Sequence, residues 1–135
     1  MTKISYHCKF CRRPGVAEYD EGMVRDVSKW ATMLACDPCG DFMDSKRRLK
    51  DIFRSIGYRL TTARLTRSKK LDEVEAESRK RFAEASRTFA ALVCSYYRCA
   101  LIWEPEFVEQ LIDAPNRTDH IAEFYFRSVP KMIEK

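Results

Sequence analysis

Four cysteines carry the clearest chemistry in this chain. Cys8-Lys9-Phe10-Cys11 and Cys36-Asp37-Pro38-Cys39 form two C-x2-C pairs separated by 24 residues. Two intervening residues let both thiolates of a pair face one ion while backbone amides turn toward the sulfurs. Two such knuckles supply four soft ligands, the donor set of a tetrahedral zinc with Zn–S bonds of about 2.3 Å. One structural zinc per chain is therefore expected, held by Cys8, Cys11, Cys36 and Cys39. Disulfides, an iron–sulfur cluster and a redox C-x2-C pair are the competing readings. A redox pair opens a helix in a βαβ unit, and no such unit is legible here. His7 adjoins Cys8, but four cysteines complete the site, so it reads as a surface histidine.

The same residues argue against catalysis. A zinc saturated by thiolates has no open position for water or substrate. The chain has only two histidines, far apart, so a nuclease with a general-base histidine near a metal is not supported. No glycine-rich phosphate-binding loop occurs. Glu73, Glu75 and Glu77 read as solvated helix charges. The expectation is a protein that is not an enzyme.

The second chemical feature is a cluster of positive charge. Residues 41–70 hold ten basic and three acidic side chains, whereas residues 101–135 hold four basic and seven acidic. Lys9, Arg12 and Arg13 decorate the first knuckle. Lys46, Arg47, Lys50 and Arg54 fall in one arc beside an apolar stripe, and Arg59, Arg64, Arg67, Lys69 and Lys70 follow. Like charges at i, i+4 disfavour an isolated helix by a few tenths of a kcal/mol per pair, so this ridge invites a compensating anion. The expected partner is nucleic acid, met through the basic helix next to the zinc module. The alternative is a protein-interaction module, an adaptor, inhibitor or subunit of a larger complex, in which the ridge meets an acidic protein surface. A homodimer is compatible with either. Stacking of bases needs exposed aromatics among cations, which points to Phe10 and Tyr58. The set Phe89, Tyr96, Tyr97, Trp103, Phe107, Phe124, Tyr125 and Phe126 reads first as a core.

These groups must be positioned by short elements. Arg12-Arg13-Pro14-Gly15 signals a turn after the first knuckle. Residues 16–20 and 30–35 read as strands of a hairpin, with Glu21-Gly22 between them and residues 23–27 as a further extended piece. The second knuckle opens a helix at Asp41-Phe42-Met43. HCKFC…ACDPCGDFMDS resembles the four-cysteine treble-clef zinc modules, including the small N-terminal zinc domain of the Clp-type unfoldases. The resemblance covers only about the first third of the chain. It implies a metal role for Cys8, Cys11, Cys36 and Cys39 and no particular function, since such modules bind nucleic acid in some proteins and other proteins elsewhere.

The remainder is helical. Phe42, Leu49, Ile52, Phe53 and Ile56 share one arc of a first helix, which either ends at Gly57 or runs on to Thr66. A long helix over about 69–103 follows, with Ser68 as its cap and Pro105 as its stop. Residues 106–113 form a short helix, and Thr118 caps a last helix that Pro130 bends or ends. Cys94 and Cys99, five apart on the long helix, point to different faces and read as packed thiols rather than ligands. The expected architecture is a small α+β zinc module (knuckle, β-hairpin, helix) over residues 1–45, then a helical region over residues 46–135, mostly α overall.

Composition bounds the rest. The chain has 135 residues, a formal charge of +5 and 45% apolar side chains, which excludes a disordered tail. A four-thiolate zinc carries about −2, leaving roughly +3. No apolar run approaches the roughly 18 residues of a membrane span, and residues 1–9 lack the apolar core of a signal peptide. A cytoplasmic, reducing location with no membrane partner is the expectation.

Overall fold

A computed structural model describes residues 2–98 and 104–133. The chain divides into two compact units, Met1–Asp44 and Ser45–Lys135.

The first unit is built on a hairpin. β1 (Thr2–His7) pairs antiparallel with β2 (Pro14–Tyr19), with Ile4 opposite Ala17 and Tyr6 opposite Gly15. Along β1, Thr2, Ile4 and Tyr6 are half-buried while Lys3, Ser5 and His7 are exposed, the alternation of a sheet with one wet face. A Cβ at Gly15 would lie 2.7 Å from the Tyr6 ring, so a side chain there would displace that ring. The expected hairpin of residues 16–20 and 30–35 is thus corrected. Its first strand exists, but its partner precedes it, and the first knuckle forms the connection between the two.

Trp30 belongs to a short helix instead, α1 (Val27–Ala31). Asp26, in extended backbone, starts it by accepting a hydrogen bond from the Lys29 amide at 3.0 Å. This is the standard N-cap arrangement, and it overrides the strand tendency of a short apolar run. The Trp30 ring packs 5.7 Å from that of Tyr19, tying α1 to the hairpin.

α2 (Asp37–Leu65) begins at the second knuckle, earlier than the apolar periodicity suggests, and passes through Gly57. Within the second unit its buried stripe is Leu49, Phe53, Ile56, Leu60 and Ala63, at steps of three and four. Ile52, expected in that stripe, is 44% exposed. α3 (Leu71–Tyr97) contributes Val74, Phe82, Ala85, Phe89 and Val93. It ends at Arg98, which takes a left-handed conformation (φ 54°) and donates its amide to the Cys94 carbonyl. The long helix is therefore shorter than expected, and Cys99 and Trp103 lie outside the described residues. Ser68 does not cap it by the expected geometry; its hydroxyl accepts from the Lys70 amide at 3.2 Å, one residue before the helix begins.

α4 (Glu104–Asp113) buries Phe107, Val108, Leu111 and Ile112. A single 3-10 turn, Pro115–Arg117, leads into α5 (Thr118–Ile133), which buries Ala122, Tyr125 and Val129. α5 continues through Pro130. The proline sits in its last turn, so the bend or stop expected at Pro130 does not end the helix there. Phe53 is the centre of the core, with ring centroids 6.4 Å from Phe82, 6.0 Å from Phe89 and 5.5 Å from Phe107. Tyr125 closes on Phe107 edge-on at 4.7 Å. Phe124 departs from the expected aromatic core and is 65% exposed. No helix among the described residues is long and apolar enough to cross a membrane.

Candidate metal centre and basic surfaces

The first knuckle occupies the β1–β2 connection. The Cys8 amide donates to the Arg13 carbonyl at 2.8 Å and the Arg12 amide to the Cys8 carbonyl at 2.9 Å, closing a tight loop. Arg12 takes a left-handed φ of 65°, a conformation that favours glycine and that here the two loop bonds enforce. The Phe10 amide points at the Cys8 sulfur, 3.4 Å away. The second knuckle lies at the start of α2, where the Gly40 amide already bonds the Cys36 carbonyl at 2.9 Å. The two knuckles meet because the Lys9 amide donates to the Leu34 carbonyl at 2.9 Å. The turn between α1 and α2 is thereby brought beside the hairpin loop.

The result is a compact group of four sulfurs, those of Cys8, Cys11, Cys36 and Cys39, all within 4.8 Å of one another. Cys8 and Cys39 are buried, Cys36 is half-buried and Cys11 is exposed. The Cys11 and Cys36 sulfurs are 3.6 Å apart. A disulfide would bring them to about 2.0 Å, whereas four sulfurs placed tetrahedrally about 2.3 Å from one ion sit about 3.8 Å apart. The spacing fits a shared ion, and none of the four is in a disulfide. Burial opposes ionisation of Cys8, yet backbone amides of Cys11, Cys36 and Phe10 overcome it and lower its pKa to about 5. A thiolate, the form that binds metal, is thus favoured at neutral pH. His7 is exposed on β1 and stands outside the four-sulfur group.

The expected cationic residues divide into two sets. Lys9, Arg12 and Arg13 are exposed at the knuckle, and among the described residues no carboxylate pairs with them. The Lys9 ammonium lies 4.9 Å from the centre of the Phe10 ring. The helix cations are engaged differently. Lys46 and Lys50 both bind Glu123 of α5, Lys46 at 3.1 Å. Their side chains are only 14% and 19% exposed, and Lys46 also lies 3.8 Å from the Phe126 ring centre. Arg54 binds Asp119 at 2.7 Å and Asp51 at 3.1 Å. Arg59 pairs with Glu77 at 3.5 Å; Arg64 pairs with Glu75 at 3.0 Å and donates to the Ile112 carbonyl at 2.7 Å. Arg47 is exposed, and Arg67 is exposed with a left-handed φ of 51°.

The outward ridge expected of α2 is therefore corrected at Lys46 and Lys50, which face α5. Glu123 and Asp119, which the sequence reading did not single out, are the compensating anions. Their signal was available: two acids four residues apart, in an acidic C-terminal third, match the four-residue spacing of the ridge. Burial resists the charge on Glu123, but hydrogen bonds from Lys50 and Lys46 hold its carboxyl below the usual range. The hydrogen bond that Arg54 donates to Asp119 raises the pKa of its guanidinium in turn. Glu75 and Glu77, expected to be merely solvated, are ion-pair partners.

No family model matches this chain, nor does any curated protein or any solved structure. The likeness to treble-clef zinc modules rests on the cysteine pattern alone.

Proposed function

We propose that this is a zinc-stabilised, non-catalytic nucleic-acid-binding protein that meets phosphate through Lys9, Arg12 and Arg13 of its first knuckle. The observation that carries this reading is the contrast between the two cationic sets. The knuckle cations are exposed and unpaired among the described residues, on a loop held by the thiol cluster. The α2 cations Lys46, Lys50, Arg54, Arg59 and Arg64 are ion-paired with acids of their own chain, with Glu123 shared among Lys46, Lys50 and Arg127. Phosphate binding is favoured by cations that are not already ion-paired, which points to the knuckle in preference to Lys46, Lys50, Arg54, Arg59 and Arg64. Zinc is the metal that best suits four thiolates in a closed tetrahedron, and its binding energy would be folding energy for the small hairpin unit.

The test is binding of a labelled oligonucleotide across a salt series. Log affinity should fall linearly with log salt, with a slope of about −2 to −3 for three neutralised phosphates. Reversing the charge of Lys9, Arg12 and Arg13 together to Glu should abolish binding while zinc content holds. Reversing Arg59 and Arg64 should leave the knuckle's affinity unchanged. Salt-independent binding, or full affinity in the knuckle variant, sinks the reading.

A further inference from the structure

The knuckle presents more than charge. Phe10 sits between its two cysteines with 41% of its surface exposed, whereas Phe42, Phe53, Phe82, Phe89 and Phe107 are at most 3% exposed. The loop leaves the ring little choice. Its amide is directed at the Cys8 sulfur, and the closure from Cys8 to Arg13 places residue 10 at the tip. The Lys9 ammonium lies over one face of the ring, 4.9 Å from its centre, which leaves the other face for a base, and Arg12 and Arg13 follow within three residues. No acidic residue occurs from His7 to Ala17, and the local negative charge is that of the thiolate cluster, about −2 with zinc bound. An exposed aromatic ring with one cation on a face and two more close by in the chain has the two components of a single-strand platform: a face for a base and charges for the flanking phosphates.

Building on the nucleic-acid reading above, we infer that the ligand is single-stranded nucleic acid, one base of which stacks on Phe10 while its neighbouring phosphates meet Lys9, Arg12 and Arg13. A duplex offers the same phosphates but keeps its base faces stacked within the helix, and unstacking one is unfavourable by several kcal/mol. An acidic peptide offers the charge but no flat π-face. The ring therefore discriminates among polyanions that the three cations alone would bind alike. Base identity is not read, since every base has a π-face.

The test uses the zinc-loaded full chain with three probes: a labelled oligothymidylate, a labelled duplex and a labelled polyglutamate peptide. The single strand should bind at least tenfold tighter than the other two. Phe10→Ala should weaken single-strand binding by roughly tenfold, the usual effect of losing one stacked base, and leave the salt slope near −2. Phe10→Trp should keep the affinity, and its fluorescence should be quenched by the bound strand. Phe10→Leu keeps apolar bulk without a π-face, so it should behave as the alanine variant does even if alanine perturbs the knuckle. Equal affinity of single strand and duplex, or an unaffected leucine variant, overturns the inference while leaving the phosphate-binding reading in place. Polyglutamate binding as tight as the oligonucleotide would show a site that reads charge alone and favour an acidic protein partner. Failure to bind any nucleic acid overturns both readings.

Discussion

Cys8 is buried and yet its thiol is shifted toward ionisation, because the loop that carries it turns backbone amides onto the sulfur. That shift favours the thiolate, the form that binds a metal ion. Cys36, half-buried and 3.6 Å from Cys11, joins the two knuckles through their sulfurs. Cys36→Ser should therefore lower bound zinc from about one equivalent to under about a tenth, measured by elemental analysis, since three thiolates leave the tetrahedron open. Glu123 is a second anion held by donors, here two lysines. Its carboxyl is held below the ordinary range by Lys50 and Lys46, although burial opposes ionisation. A depressed folded pKa contributes stability above the unfolded value of about 4.3, and that contribution disappears as pH falls through the folded value. Glu123→Gln should thus destabilise the helical unit by about 1–2 kcal/mol at neutral pH, after allowance for partial exposure. The difference from wild type should vanish in acid. Urea unfolding at neutral and acidic pH reads both.

α2 shows how much of an element its own sequence encodes. The stripe of Leu49, Phe53, Ile56 and Leu60 is legible because helical periodicity is local, and the structure buries all four. Whether the helix stops at Gly57 is not legible, because glycine caps helices and also admits close neighbours. The neighbour decides: a Cβ at Gly57 would lie 2.0 Å from the Pro115 carbonyl oxygen. Gly57→Ala in a helix ordinarily stabilises by up to about 1 kcal/mol. Here it should instead destabilise by about 1–3 kcal/mol, because backbone must move to admit it. Thermal melting distinguishes the signs. The hairpin makes the opposite point. Residues 30–35 are a short apolar run, compatible with strand or helix by composition. The Asp26 cap three residues before Lys29 was the local signal that favours helix.

At the scale of the molecule, the two units have different means of stability. The helical unit has an aromatic core of its own around Phe53. The hairpin unit spans Met1–Asp44, a size at which a metal or disulfide is usually needed to complete a core. A strong chelator should accordingly unfold β1, β2 and α1 and disperse the Tyr19–Trp30 pair, seen as a shift in tryptophan emission. The helical signal of α3, α4 and α5 in circular dichroism should persist. Loss of the whole helical signal on chelation would mean the core around Phe53 does not stand by itself.

The donor set of the metal centre, the apolar stripes and the positions of positive charge follow from residue types and short spacings, which neighbouring residues determine among themselves. Where those charges act is decided at long range. Lys50 and Glu123 are 73 positions apart, and Arg54 and Asp119 are 65 apart. A basic arc beside a buried stripe is equally consistent with an open ridge and with one covered by another helix. Only the docking of α5, driven by burial of Ala122, Tyr125 and Val129, brings the acids onto the lysines and arginine. The Cys8–Cys11 pair likewise announces a knuckle from spacing alone. That its connection closes β1 onto β2, leaving Lys9, Phe10, Arg12 and Arg13 exposed, depends on cross-strand pairing and on the Lys9–Leu34 bond. These contacts join segments that no helical or strand period links.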